Sequence, residues 1–161
     1  MNVFFAADHA GLRMKAVLSE RVALMGHTVV DKGAYDLDPN DDYPDVVIPL
    51  REAVASTPDS FGIICAGSGQ GEAMCANRMS GIRAAVFYAP VSATEALDRE
   101  GAHSEDGYDI VRLARKHNDA NVLSIGARFV SREEALEAVR IFLETPYSGD
   151  DRHTRRLNKF S

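Results

Sequence analysis

The segment Gly67-Ser68-Gly69-Gln70-Gly71-Glu72 sets glycines at alternate positions and ends on a carboxylate. It lies between an apolar run, Phe61 to Ala66, and a helix-compatible run, Ala73 to Arg78. Glycines so spaced let the backbone approach a ligand closely and aim successive amides at an anion. Glu72 then falls in the first turn of the helix, where unpaired amides and the helix dipole stabilise negative charge by roughly 0.3 to 1 kcal/mol. The carboxylate stays ionised unless burial opposes it. The pattern reads as an anion cradle with a base at its end. Two better-known glycine motifs do not fit. A dinucleotide fingerprint needs glycine where Glu72 stands, and a phosphate-binding P-loop needs a Gly-Lys-Ser/Thr ending.

Composition narrows the setting. The 161 residues are 45% apolar and 26% charged, ordinary for a globular chain, and enough for one domain spanning residues 1–161 with a core that needs no staples. The formal charge of −6 argues against a nucleic-acid surface, although Arg152 to Lys159 is locally basic. No run approaches a membrane span, and Met1 to Ala7 lacks a basic leader and reads as a first strand, so a cytoplasmic protein is expected. Cys65 and Cys75 fit neither a disulfide framework nor a zinc motif and read as small core residues.

The elements that must hold the glycine segment alternate along the chain. Val3 to Ala7 predicts a strand, Asp8 to Gly11 a turn, and Met14, Val17, Leu18, Val22 and Met25 the apolar stripe of a helix. A second strand follows at His27 to Asp31. Pro44 opens a helix carrying Val46, Val47, Leu50 and Val54. Phe61 to Ala66 is the third strand, Gly81 to Tyr88 the fourth, Asn121 to Ile125 the fifth, and Arg132 to Glu144 a last amphipathic helix. Repeated strand–helix units predict an α/β fold with a five-stranded parallel sheet covered on both faces. Ligands of such sheets collect at the carboxyl ends of the strands, where Asp8-His9 and Gly67 to Glu72 would meet. Residues 101–107 interrupt the long connection between strands four and five and read as a surface excursion.

Asp8-His9-Ala10-Gly11, Asp42-Tyr43-Pro44-Asp45, Gly67 to Glu72, Ala76-Asn77-Arg78, Gly81-Ile82-Arg83-Ala84, His117-Asn118-Asp119-Ala120-Asn121 and Arg152-His153 occur in that order. Together they resemble the ribose-5-phosphate isomerase B and galactose-6-phosphate isomerase family, almost end to end. The resemblance implies a Rossmann-like three-layer sandwich that interconverts aldose and ketose phosphates, most simply ribose 5-phosphate and ribulose 5-phosphate. It implies no metal or cofactor, and active sites shared between subunits of a homodimer or tetramer. Many relatives carry a cysteine base just before the glycine turn. Here Ala66 holds that position, and Cys65, one residue earlier in a strand, points to the opposite face. A second branch reads Gly-Ser-Gly-x-Gly-Glu and uses the glutamate, so Glu72 inherits the role of base. His117 is assigned ring opening and Asp8 uptake of a hydroxyl proton. The amides of Gly67, Gly69 and Gly71, with the Ser68 hydroxyl, are assigned the oxyanion, at on the order of 3 kcal/mol per donor. Arg128, Arg152 and Arg156, with His9, are assigned the phosphate. The resemblance brings His117, Asn118 and Arg128 from the neighbouring subunit.

Each residue also has a plainer account. Glu72 is favoured at any helix start, Asp8-His9 suits an N-cap, His117-Asn118 suits a helix end, and the arginine-rich tail suits solvent. A receiver-like signalling module shares the early aspartate, but it wants an aspartate at the end of strand three, where Cys65-Ala66-Gly67 stands. A catalytically silent sugar-phosphate-binding subunit, or an isomerase of a four- or six-carbon sugar phosphate, is the remaining alternative. The resemblance is broken by an insertion before His117 and by a chain ending early at Ser161.

Overall fold

The computed structural model describes residues 1–160. Five strands, β1 (Asn2–Ala7), β2 (Thr28–Asp31), β3 (Phe61–Ala66), β4 (Ala84–Phe87) and β5 (Val122–Gly126), form one sheet in the order β2-β1-β3-β5-β4. Every pairing is parallel. The helices are α1 (Leu12–Leu24), α2 (Pro44–Ser56), α3 (Gln70–Ala76), α4 (Asp109–Asn118), α5 (Arg132–Glu144) and α6 (Asp151–Leu157). No helix among the described residues is long and apolar enough to cross a membrane.

The alternation of side chains along the strands builds two cores. Val3, Phe5, Ile63, Cys65, Leu123 and Ile125 face α1, α4 and α5, meeting Leu18, Val22, Val139 and Phe142. Phe4, Ala6, Ile64 and Val122 face α2, meeting Val47, Leu50 and Val54. A sheet buried on both faces needs continuous apolar strands, which is what β3 and β5 supply. The expected three-layer α/β architecture is therefore the one observed. α5 begins with a capping box, in which the Ser131 hydroxyl accepts the Glu134 amide at 3.1 Å and the Glu134 carboxylate accepts the Ser131 amide at 2.8 Å.

Close approach explains Gly11. A Cβ there would fall 1.8 Å from the carbonyl oxygen of Cys65, so α1 starts pressed against the end of β3. That contact fixes the distance between the two strand ends carrying Asp8 and Gly67.

Two expectations change. β4 begins at Ala84 rather than Gly81, because Gly81 takes a left-handed φ of 82° and the Asn77 side chain clasps Ala84, its amide donating to the carbonyl at 3.0 Å and its oxygen accepting the amide at 2.7 Å. The basic tail is not a solvated run: residues 151–157 form α6, docked on α4 through buried His153 and Leu157.

Candidate active site

Strand order reverses between β1 and β3, and ligands of such sheets collect at the carboxyl ends beside that switch point. Asp8 and His9 leave β1 there, Gly67 leaves β3, and Arg128 follows β5. Asp8 is buried; its Oδ1 accepts the Gly11 amide at 2.9 Å and its Oδ2 the Gly67 amide at 3.4 Å. The aspartate thus ties the first turn to the glycine segment. His9 is partly exposed and its Nδ1 lies 2.6 Å from Asp41 Oδ1. The Asp41 hydrogen bond, followed by the charges of Asp8 and Asp41, raises the His9 pKa above its ordinary value, with Arg128 opposing.

Arg128 belongs to this group within one chain. Its amide donates to the Gly67 carbonyl at 3.3 Å, and its guanidinium lies 3.2 Å from where a Gly67 Cβ would stand. The assignment of Arg128 to the neighbouring subunit is corrected: β5 adjoins β3 in the sheet, so the turn after it must fall beside Gly67.

The glycine segment is held open as a cradle. Gly69 caps α3 with φ 73°, a conformation open to glycine at little cost, while the Ser124 hydroxyl donates to its carbonyl at 2.8 Å. The amides of Ser68 and Gly69 carry no hydrogen bond among the described residues. The Ser68 side chain is exposed and its hydroxyl accepts the Gln70 amide at 3.3 Å. At Gly71 a Cβ would meet the Tyr43 hydroxyl at 2.8 Å, so the missing side chain lets Tyr43 lie over the first turn of α3.

Glu72 sits in that first turn, as expected, and is only 5% exposed. Its pKa is raised above the ordinary value, first by burial and then by the charges of Asp8 and Asp41, while its own amide acts in the opposite direction. The side chain is buried, yet its electrostatic neighbours are the two aspartates and the α3 amides. A carboxyl in this setting exchanges a proton more readily near neutrality than an exposed one.

A second group lies at the other edge of the sheet. α4 runs back against the strands, so His117 and Asn118 at its end lie at the amino edge, where Arg83 Nε donates to the Asn118 carbonyl at 3.0 Å just before β4. β3 alone puts about 20 Å between the two edges, at about 3.3 Å per residue. The His117 ring stacks on that of buried His153, 4.0 Å between centroids. Burial, then the nearby His153 and Arg152, lowers the His117 pKa, which leaves a neutral imidazole at pH 7. Arg152 and exposed Arg156 occupy successive turns of α6, and the Arg152 Nε is buried with no partner among the described residues. A single chain therefore gathers Asp8, His9, Gly67 to Glu72 and Arg128 in one place, and His117, Asn118, Arg152 and Arg156 in another.

A cavity of about 590 Å³ opens at the amino end of β4, between Asn77, Arg78, Arg83, Asn118 and Phe160. Its lining has no carboxylate or imidazole, and Asn118 is the assigned site residue that reaches it. Among the described residues no cluster of His, Cys, Asp or Glu is arranged to hold a metal ion.

The sequence left several neighbours of the site unassigned. Asp41 reaches His9 from the polar connector before α2, and Tyr43 reaches Gly71 from the same connector. Tyr88 bonds Gln70 and packs edge-on to Phe129, which brings the start of the long 88–108 connection to the carboxyl rim. Only the Asp42-Tyr43-Pro44 turn gave a signal in advance. Cys65 is fully buried and its thiol is pushed far up by desolvation, so a thiolate is out of reach there.

The profile of the Ribose/Galactose Isomerase family matches residues 3–104 and 100–160. The two matches meet inside the 88–108 connection, where the sequence shows its insertion. The chain is 35% identical over 158 residues to a ribose-5-phosphate isomerase B of Mycolicibacterium paratuberculosis, covering 98% of this chain and 88% of that one. It is 36% identical over 157 residues to a probable ribose-5-phosphate isomerase B of Mycoplasma pneumoniae, covering 98% and 91%. Among solved structures, ribose-5-phosphate isomerase B of Mycoplasma genitalium with bound ribulose-5-phosphate superposes with a TM-score of 0.83 at 34% identity, covering 98% of this chain and 92% of that one. The chain belongs to the Ribose/Galactose Isomerase family.

Burial of Cys65 leads to a direct expectation. Cys65→Ala retains kcat within about threefold of the parent, since the residue only packs; steady-state turnover of a sugar phosphate checks this, and a loss of a hundredfold or more would restore a thiol as the base.

Proposed function

We propose that the protein interconverts ribose 5-phosphate and ribulose 5-phosphate through an enediolate, with Glu72 as the base. The observation that carries this is a desolvated carboxylate of raised pKa on the turn whose Ser68 and Gly69 amides are unengaged. The ribulose-5-phosphate-bound relative from Mycoplasma genitalium supports the substrate.

In this reading the phosphate is gripped by Arg128 and His9 from one chain and by Arg152 and Arg156 from another, since guanidinium forks match phosphate oxygens. The protonated form of His117 gives its proton to the ring oxygen as the sugar opens, leaving the neutral imidazole that its surroundings favour. Glu72 removes the proton beside the carbonyl and returns it to the adjacent carbon, a shuttle that requires both protonation states to be accessible. The amides of the cradle and the Ser68 hydroxyl take the developing oxyanion. Asp8, fixed by Gly11 and Gly67, accepts the hydroxyl proton.

Sharing of the site between copies follows from topology in this reading, because Glu72 and His117 stand at opposite edges of one sheet. A homodimer is the smallest assembly that brings them together. We further read the chain as one domain acting in the cytoplasm, a reading supported by two free cysteines and by a sheet that spans residues 2 to 126 with α5 and α6 packed back on it.

Two outcomes check the proposal. Glu72→Gln incubated with ribose 5-phosphate in deuterated water should lose both turnover and exchange of the alpha proton by about 10² to 10⁴-fold, the usual worth of a general base; undiminished exchange would remove Glu72 from that role. Mixing the inactive Glu72→Gln and His117→Asn proteins under subunit exchange should restore about a quarter of wild-type activity, because half of random dimers carry one intact site of two. Absence of complementation would mean that each chain works alone.

A further inference from the structure

His9 does not meet solvent as a free imidazole. Its Nδ1 is held 2.6 Å from Asp41 Oδ1, and Asp41 Oδ2 is buried with no hydrogen-bond partner among the described residues. Asp41 is largely enclosed, its side chain 16% exposed, and the connector bearing it is pinned close by, with the Asp41 amide on the Asp38 carbonyl at 3.2 Å and Tyr43 seated over Gly71. The one hydrogen bond of the Asp41 carboxylate thus goes to a single ring nitrogen. An imidazole so engaged through Nδ1 is fixed in rotation and keeps Nε2 as its remaining donor.

We propose that Asp41 is a positioning residue for phosphate capture: it orients the His9 ring through Nδ1 and acts as its counter-ion, so that His9 presents a cationic donor beside Arg128. The inference rests on the reading of His9 as a phosphate ligand. The charged groups facing His9 are Asp8 at the end of β1, Asp41 on the connector and Arg128 after β5; Glu72 on α3 feels both aspartates. Arg128 opposes a positive His9 and Asp8 favours it, but the largest contribution is the hydrogen bond from Asp41. Removing the Asp41 charge while keeping its shape therefore lets His9 go neutral within the physiological range. An arriving phosphate dianion would then meet one cation fewer, with Arg128 left alone on this chain's side of the site. Asp41 touches no reacting atom in this scheme, so its loss falls on binding more than on turnover.

The experiment compares the wild type with Asp41→Asn and Asp41→Glu in three readouts: thermal unfolding, the His9 imidazole titration followed by NMR, and the dissociation constant of inorganic phosphate at pH 5.5 and pH 7.5. In Asp41→Asn the His9 midpoint should fall. Phosphate binding should weaken about tenfold at pH 7.5, the worth of one charge-assisted hydrogen bond, and the gap should narrow at pH 5.5, where protonation of His9 is favoured in both proteins. KM for ribose 5-phosphate should rise more than kcat falls, and Asp41→Glu should recover part of the affinity. An unmoved His9 midpoint overturns the proposal, as does a phosphate deficit equal at both pH values, which is what a purely structural role would give. A midpoint that moves without any change in phosphate binding overturns it too. If the wild type does not isomerise ribose 5-phosphate, the proposed reaction fails, while the phosphate and imidazole titrations still decide the role of Asp41.

Discussion

The carboxylate of Glu72 is shut away from water next to two others, and the rest of the site is arranged around that conflict. Burial and the charges of Asp8 and Asp41 oppose its ionised form, and the amide at the start of α3 partly relieves it. The proposed role as a shuttle between neighbouring carbons calls for a carboxyl whose proton is held more firmly than in water, the direction in which this setting shifts it. The features around it maintain this state. Gly11 lets α1 press on β3, Asp8 bonds both Gly11 and Gly67, Gly69 turns the chain into α3, and Tyr43 covers Gly71. These contacts position atoms more than they add stability, and each uses a glycine where a side chain would not fit.

Charge is divided between the two edges of the sheet. At the carboxyl edge Asp8, Asp41 and Glu72 lie with Arg128 and His9, and the amino edge carries His117, Asn118 and the α6 arginines. Neither set is sufficient for a sugar phosphate. In the proposed reaction the first set lacks the ring-opening histidine and half of the phosphate ligands, and the second lacks a base. The proposed homodimer joins these complementary halves from two copies.

Much of this was legible in the sequence because the signals were local. Apolar runs in β3 and β5, alternating faces in β1, and the stripe of α1 and α2 specify a covered parallel sheet, and the glycine spacing specifies the cradle and places Glu72 in the first turn. What was not legible depends on approach between distant segments. Asp41 lies in a polar connector whose composition says only that it turns, and nothing in it points to His9, a partner 32 residues away. The resemblance gave Arg128 to the neighbouring subunit, whereas strand order, which spacing does not reveal, sets the turn after β5 against Gly67 of the same chain. α6 was missed because its stripe is only His153 and Leu157, and the surrounding arginines resemble a solvated run.

The most direct test of the central claim follows the carboxyl resonance of Glu72 in protein labelled with 13C at glutamate side chains, assigned by its disappearance in the Glu72→Gln spectrum, across a pH titration of the unliganded enzyme. The account predicts a midpoint above the ordinary 4.5, matched by the acid limb of kcat/KM. A midpoint at or below that value, with the acid limb tracking some other group, would contradict it.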